Sequence, residues 1–573
     1  MIAALLATAV LAVTAFVLGR LVTGNLDRPV ERWAIPMACG LALLSHLGLL
    51  LGFAGLLRPG PVIAVLAAIH LLAIPVWRGM TVRISWLGAA ALLPGALLAL
   101  YPPTAFDATL YHLPFARAFV ASGGVPFLPD LRFPVFPQAN EMLFALVMLF
   151  APDLAAHGAQ WLMTALTAAL VWAWGRDAFG AEAGRLAAAV YLGAPIVVSL
   201  AGSGYVDSGL TLFVTAALYA VRRWRGSGER RWLLLSALFA ATAADVKYLG
   251  LFFLGVAGLA VLLGRLPERG SGERWRGALL FGAVALAALA PWYGRIYAWT
   301  GNPLFPYFPR IFGSSPWAPL HFHGFDGPGV ERLVRLARLP WDTVFERGRY
   351  GFQPPQSPVW LVALPLALLA SLRDPRQRRL LALAAIYAFA CLSLPPDSRY
   401  LMPATPLLAV SIAGVAGRML DRRFLAAGLC AACLLPGALY ALYRLRLQGP
   451  PPLTPEAREA YLARQLPLYP AVASLNHSRG SGYTVWGLHA ENMLYYARGR
   501  LLGDWYGPAS FARVLGGLSS PEDLHGRLRR LGADHLLIAA GEAPGLPFPE
   551  DAGFRRWFEP VHADPAARVY RLR

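Results

Sequence analysis

Apolar stretches about as long as the hydrocarbon core of a bilayer recur along residues 1–443, each closed by Arg, Pro or Gly. That pattern confines the chain to a bundle of spanning helices, because lipid offers no partner to an unpaired backbone amide or carbonyl. The stretches run approximately over 3–20, 33–56, 61–77, 84–101, 156–175, 185–201, 206–222, 232–246, 248–264, 277–297, 357–372, 380–395, 400–417 and 424–443, so about fourteen crossings are predicted. A chain that is 57% hydrophobic and 14% charged lies outside the range of soluble domains. The first stretch has no basic residue before it and is followed by Arg20, which reads as an anchor with its N-terminus outside rather than as a cleaved signal peptide.

The formal net charge of +19 raises nucleic acid as a partner, and the placement of the cations argues against it. Alternate loops hold Arg20, Arg28 and Arg32, then Arg78 and Arg83, Arg176 and Arg185, the Arg222–Arg231 group, the Arg265–Arg276 group, the Arg373–Arg379 group, and Arg418, Arg422 and Arg423. The opposite short loops hold little beyond Arg58, Lys247 and Arg399. Cationic loops resist translocation, so the first set is predicted to be cytoplasmic and the charge to meet anionic lipid headgroups. An inner or plasma membrane location follows. Regions 102–155, 298–356 and everything after 444 would then lie outside the cytoplasm.

Within 102–155, Asp107–Ser122 suits a surface helix kinked at Pro114, and Asn140–Phe150 a second helix too short to span. Beyond 444 the composition changes. Ala471–Leu475, Tyr483–Trp486, His535–Ala539 and Val569–Leu572 read as strands, and Ser520-Pro521-Glu522-Asp523 as a capped helix start, giving an extramembrane α/β domain. Cys39, Cys391, Cys430 and Cys433 all fall in predicted membrane helices, so the exported regions form no disulfides.

Ionisable residues at membrane depth are expensive and mark candidate chemistry. Asp107, Glu141, Asp207, Asp245, Lys247 and Arg399 come from distant segments, and all are predicted at the outward level. Asp107 reads either as a helix N-cap or as a general base whose apolar surroundings raise its basicity. Asp207 divides between cap and active-site orienter, and Glu141 reads as a first-turn acid against the helix dipole. Lys247 is the only lysine among 51 basic residues. A compact ammonium suits a phosphate oxygen, and the alternative, pairing with Asp245 two residues away, needs a break in the helix. His321, His323 and Asp326 have the types of metal ligands but no carboxylate-rich partner motif, so no metal site is assigned.

Asp107-Ala-Thr-Leu-Tyr111-His112-Leu-Pro114, followed by Asn140-Glu141, resembles the first outward loop of GT-C-type glycosyltransferases, the superfamily of protein O-mannosyltransferases and the aminoarabinose transferase of lipid A. Tyr205-Val-Asp207, Lys247-Tyr248, Pro291-Trp292, Gly301-Asn302-Pro303 and Ser398-Arg399-Tyr400 fall where such proteins carry similar residues. The family's frequent paired acid is absent, since Ala108 follows Asp107. The resemblance implies a helical polytopic membrane fold with three parts: additional helices over 1–83, a GT-C-like catalytic domain over 84–443 and a soluble domain over 444–573. It further implies a polyprenyl-phosphate sugar donor, a glycan, lipid or protein acceptor, and inversion with Asp107 as base. Lys247 and Arg399 would bind the leaving phosphate, with Asp207, Tyr111, His112 and Glu141 as further substrate-binding candidates. No soluble cofactor is required. Two other readings stay open, a polysaccharide polymerase or ligase using lipid-diphosphate donors, and a transporter or flippase of lipid-linked sugars. The latter predicts repeat symmetry and broken helices, neither of which the sequence displays.

Overall fold

The computed structural model describes residues 1–77, 86–264, 271–313, 329–416, 423–543 and 545–573. His321, His323 and Asp326 lie outside the described residues. Among these residues six helices are long and apolar enough to cross a membrane: Ile2–Thr23, Glu31–Phe53, Leu154–Phe179, Arg274–Thr300, Ser398–Ala416 and Phe424–Gln448. A bent pair, Ala181–Leu192 with Pro195–Ala201, makes a seventh if it is one span. Fourteen crossings are therefore not carried by length and apolarity alone. Several predicted stretches form shorter apolar helices, such as Pro59–Leu72, Gly250–Leu262 and Val359–Ser371. Others, such as Asp207–Ser227, carry arginines at one end that dilute their apolarity.

The two kinds of long helix differ in what they face. Leu154–Phe179 and Ser398–Ala416 are 72% and 78% buried over their most apolar windows, whereas Arg274–Thr300 and Phe424–Gln448 are only 28% and 22% buried. The outer pair turns Leu279, Leu286, Leu435 and Leu439 away from the protein, an apolar exterior suited to lipid. The first two helices cross closely at small residues: a Cβ on Gly40 would stand 1.7 Å from the Ala15 carbonyl oxygen, and one on Gly19 equally close to that of Pro36.

The bent pair turns by 70° at Gly193-Ala194-Pro195, where proline removes an amide donor, so the helical path does have one break that the sequence reading missed. The break leads into the Gly202–Val206 link that opens helix Asp207–Ser227. Within residues 102–155, Ala108–His112 forms a π turn continuing into helix Leu113–Ser122, and Ala139–Met148 forms the second short helix. Both are largely buried within the protein.

After helix Arg423–Gln448 come helices Pro455–Gln465 and Tyr469–Arg479 and a five-stranded sheet. Its strands are β1 (Thr484–Leu488), β2 (Arg500–Leu502), β3 (His535–Ala539), β4 (Phe558–Ala563) and β5 (Ala567–Leu572), in the order β2-β1-β3-β5-β4. β1 is parallel to both β2 and β3, and β5 is antiparallel to β3 and β4. One face packs Val485, Leu537 and Val569 against the two preceding helices, and the other packs Trp486, Leu536 and Ile538 against Phe511, Leu524, Leu528 and Phe554. Ser520 caps helix Pro521–Arg530 through the amide of Asp523, as the sequence predicts. Ala471–Leu475 is helical rather than extended. Its short apolar alternation is ambiguous, and Pro470 in the first turn decides it.

Candidate active site

The break in the chain after Val246 creates the centre of the site. Helix Arg230–Val246 ends there, and Lys247 adopts an extended conformation before the next helix starts at Gly250. Only glycine fits at 250, because a Cβ would lie 2.2 Å from the Ala243 backbone. Lys247 is thereby separated from Asp245 and directed to Asp207, with Nζ 3.1 Å from Oδ1. Asp245 turns the other way, towards His46 of the second helix, at 3.2 Å. The pairing of Lys247 with Asp245 is thus replaced by two separate pairs. Lys247 also stands 4.9 Å from the centre of the Tyr400 ring.

Arg399 joins the carboxylates. Asp397 caps the Ser398–Ala404 turn, accepting from the Arg399 amide, and its Oδ2 also takes the guanidinium Nε at 3.0 Å and Nη2 at 2.6 Å. Nη2 reaches Asp107 Oδ2 at 2.8 Å. Nη1 comes no closer than 3.9 Å to Asp207 Oδ2, and both of those atoms are buried without a hydrogen-bond partner. The guanidinium lies 4.2 Å from the centre of the Tyr205 ring. Five charged side chains from four separate segments therefore meet at one point.

Neither Asp107 nor Asp207 acts as a side-chain helix cap. Nor is Asp107 made more basic by its surroundings. Burial by itself would raise its pKa, but the charges of Arg399, His112 and Lys247 outweigh burial and hold it down at about 2. Tyr111 bonds to Asp107, and burial together with that negative charge pushes its phenol well above the ordinary range. Its ring sits edge-on to Phe133 and Phe136. His112 Nδ1 meets Glu141 Oε1 at 2.5 Å, with both groups buried, so Glu141 is a partner of His112 more than a complement to the helix dipole. Asn140 fits beside Asp207's helix only because position 209 is glycine, where a Cβ would stand 2.1 Å from its Oδ1.

Two cavities flank the cluster. One, of about 260 Å³, is bordered by Thr104, Ala105, Tyr205, Arg444 and Gln448, and the other, of about 150 Å³, by Arg349, Cys391 and Asp397. Among the described residues no three His, Cys, Asp or Glu side chains are grouped to hold a metal ion.

Residues 134–294, which contain Glu141, Asp207 and Lys247, match the family of dolichyl-phosphate-mannose-protein mannosyltransferases. The fold matches ArnT from Cupriavidus metallidurans in the apo state with a TM-score of 0.53 at 17% identity, covering 84% of this chain and 97% of that one. The same protein bound to undecaprenyl phosphate matches with a TM-score of 0.51 at 16% identity, covering 84% and 96%. The matched family model spans residues 134–294, and the likeness to ArnT is one of fold over most of both chains. Residues 457–571 match a second family, described as SF2091/S2213. A comparison with curated protein sequences finds no match.

Asp397, Tyr205 and Tyr400 join the cluster without being among the site residues that the sequence predicts. Asp397 carries a legible signal, since Pro395-Pro396-Asp397-Ser398 is a capping sequence directly before Arg399. Tyr205 and Tyr400 stand in motifs of the resemblance, but their stacking on the cations is not legible, because it depends on a fold that brings residues 205 and 399 together.

Proposed function

We propose that this chain is a GT-C-type membrane glycosyltransferase that moves a sugar from a polyprenyl-phosphate carrier to an acceptor hydroxyl on the extracytoplasmic face of the membrane, with inversion at the anomeric carbon. The observation that carries the reading is the state of Arg399, which bonds Asp107 through Nη2 while its Nη1 lies buried without a hydrogen-bond partner. A donor phosphate would supply the missing acceptor. A structure of Cupriavidus ArnT is bound to undecaprenyl phosphate, and the transfer proposed for this chain would release a carrier phosphate of that kind.

In this mechanism Lys247 and Arg399 take the phosphate oxygens. As Arg399 shifts its bonding to phosphate, Asp107 loses the interaction that holds it near a pKa of 2 and gains basicity where it is needed. The acceptor oxygen attacks the anomeric carbon, its proton passes to Asp107, and the bond to the phosphate oxygen breaks. The two cations offset the charge that develops on the leaving phosphate. His112, fixed by Glu141, and Tyr111 border Asp107 and shape the acceptor approach.

Purified protein incubated with radiolabelled polyprenyl-phosphate sugars and membrane extract tests the reading. Label is expected to appear in a glycan, lipid or protein fraction, dependent on Asp107. Transfer only from lipid-diphosphate donors would overturn it. For orientation, a reporter active only outside the cytoplasm is expected to be active after Leu447 and silent within Arg222–Arg231, and the reverse would invert the site.

A further inference from the structure

The C-terminal sheet has a feature that its docking on the membrane domain leaves unused. In open α/β sheets, ligands bind beyond the carboxyl ends of parallel strands, where successive connections leave for opposite faces. β1 and β2 meet that description. The chain leaving β1 runs over the face that holds Ala490, Met493 and Ala497, whereas the chain leaving β2 runs over the opposite face with Phe511 and Val514. The crevice between them carries Glu491 after β1, and Asp504, Trp505 and Tyr506 after β2.

This end of the sheet faces the active site. The Tyr495 amide donates to the Thr109 carbonyl at 3.0 Å, within the turn that follows Asp107. Arg132 of the first outward region enters the crevice with Nε and Nη2 on Asp504, at 3.0 and 2.7 Å, and Nη2 3.6 Å from Glu491 Oε1. Its guanidinium stands 5.7 Å from the ring centres of both Tyr506 and Phe106, the neighbour of Asp107. One basic residue thus connects the crevice to the catalytic turn.

Three properties of the crevice point to a ligand. Glu491 is 7% exposed and its Oε2 has no hydrogen-bond partner, an expensive arrangement for a carboxylate directed at a polar cluster. Trp505 is 48% exposed directly after Asp504, so flat apolar surface stands next to a carboxylate. The two carboxylates exceed the one guanidinium, which disfavours a phosphorylated or carboxylated ligand and leaves oxygen acceptors for hydroxyl donors.

We propose that this crevice is the acceptor subsite and that it binds an uncharged, hydroxyl-rich sugar unit. The apolar face of the ring lies on Trp505, and its hydroxyls donate to Asp504 and Glu491. The assignment rests on the glycosyltransferase reading above and names the acceptor class, placing the acceptor hydroxyl over Asp107. Arg132 is a positioning residue that orients Asp504 towards the sugar.

Saturation-transfer NMR on the full-length protein in detergent, with a panel of neutral methyl pyranosides, tests this. At least one glycoside is expected to bind, and Trp505→Ala is expected to weaken that binding at least fivefold, with Asp504→Asn acting in the same direction. Binding of undecaprenyl phosphate in the same samples reports that the variants are folded and tests the donor reading separately. In transfer assays the Trp505→Ala variant should raise the acceptor KM more than it lowers kcat. Absence of saturable glycoside binding to the wild type, or binding by folded Trp505→Ala within twofold of it, overturns the proposal. Failure of undecaprenyl phosphate binding with glycoside binding intact would instead sink the donor assignment and spare the crevice.

Discussion

Helix Asp207–Ser227 connects two buried charge clusters of opposite character. At its start Asp207 joins Lys247, Arg399, Asp107 and Asp397, and near its end Tyr219, Arg222 and Arg223 join Glu31, Asp177 and Arg28. By helical rise the two lie about 22 Å apart. In the second cluster every carboxylate oxygen is supplied: Glu31 takes the Tyr219 hydroxyl at 2.6 Å and Arg223 Nη2 at 3.3 Å, Asp177 takes Tyr219 at 3.0 Å, Arg176 at 3.0 Å and Arg28, and the Arg223 Nε left without a hydrogen bond stands 2.7 Å from Glu31 Oε1. In the first cluster Arg399 Nη1 and Asp207 Oδ2 have no hydrogen-bond partner. A carboxylate that only holds helices together is stablest when saturated, so the open Asp207 oxygen beside two cavities supports the proposal that a ligand is received at this end.

The strongest test of the contrast is removal of one carboxylate charge at the first end. Asp107→Asn keeps shape and a hydrogen bond to Arg399 but loses the ability to accept a proton. Transfer is expected to fall by roughly two orders of magnitude or more with normal expression. Near-normal turnover would remove Asp107 as base and make the two clusters alike.

Lys247 sharpens the same point. If its ammonium meets the donor phosphate, Lys247→Met should lower kcat by about 10- to 100-fold and raise the donor KM, because charge on the phosphate grows as the sugar leaves. Lys247→Arg should fall between Met and wild type, since the planar guanidinium cannot replace a compact cation over Tyr400. Full specific activity in folded Lys247→Met would make the Asp207 pair structural.

At the other end the expected effect is on stability. Glu31→Gln leaves the buried Arg223 without its anion, which costs of the order of 3 kcal/mol. Thermal unfolding in detergent should show the loss, while activity per folded molecule stays close to wild type. Loss of turnover without loss of stability would break the division between the two ends.

The cluster at Asp207 was largely legible from residue chemistry. Asp107, Asp207, Lys247 and Arg399 stand out because charge is costly where they occur, and the structure brings all four together. What was not legible was the partnership. The extended backbone at Lys247 swaps Asp245 for Asp207, and that choice depends on the close return of the chain at Gly250. Arg399's pairing with Asp107 reverses the expected pKa direction, because basicity follows the nearest opposite charge rather than the general apolarity of the site. In the C-terminal region, β2 and β4 are not legible because three residues, or a strand buried only at its first residue, carry too little pattern.

The smallest expected effect is on pH dependence, and it separates a resting ion pair from a working base. An unfolded Asp titrates near pH 3.9, and Asp107 in the fold titrates at about 2. A depressed carboxylate contributes stability above its unfolded pKa and loses it as pH falls through the folded value, so this pair adds no pH dependence to stability between about pH 5 and 8. The free enzyme keeps Asp107 ionised over the same range, so any acid limb that Asp107 gives to kcat/KM lies below about pH 3. The donor-bound enzyme differs. If Arg399 turns to the phosphate, Asp107 loses the charge that depresses it, and the acid limb of kcat moves upward by about a unit or more. Arg399→Met should raise the limb of kcat/KM in the same direction, since the depressing charge is then missing before the donor arrives. Both profiles can be recorded from about pH 2 to 8 at saturating and limiting donor. Coincident acid limbs for kcat and kcat/KM, unmoved by Arg399→Met, would mean that Arg399 never leaves Asp107, and the first cluster would then be as fixed as the second.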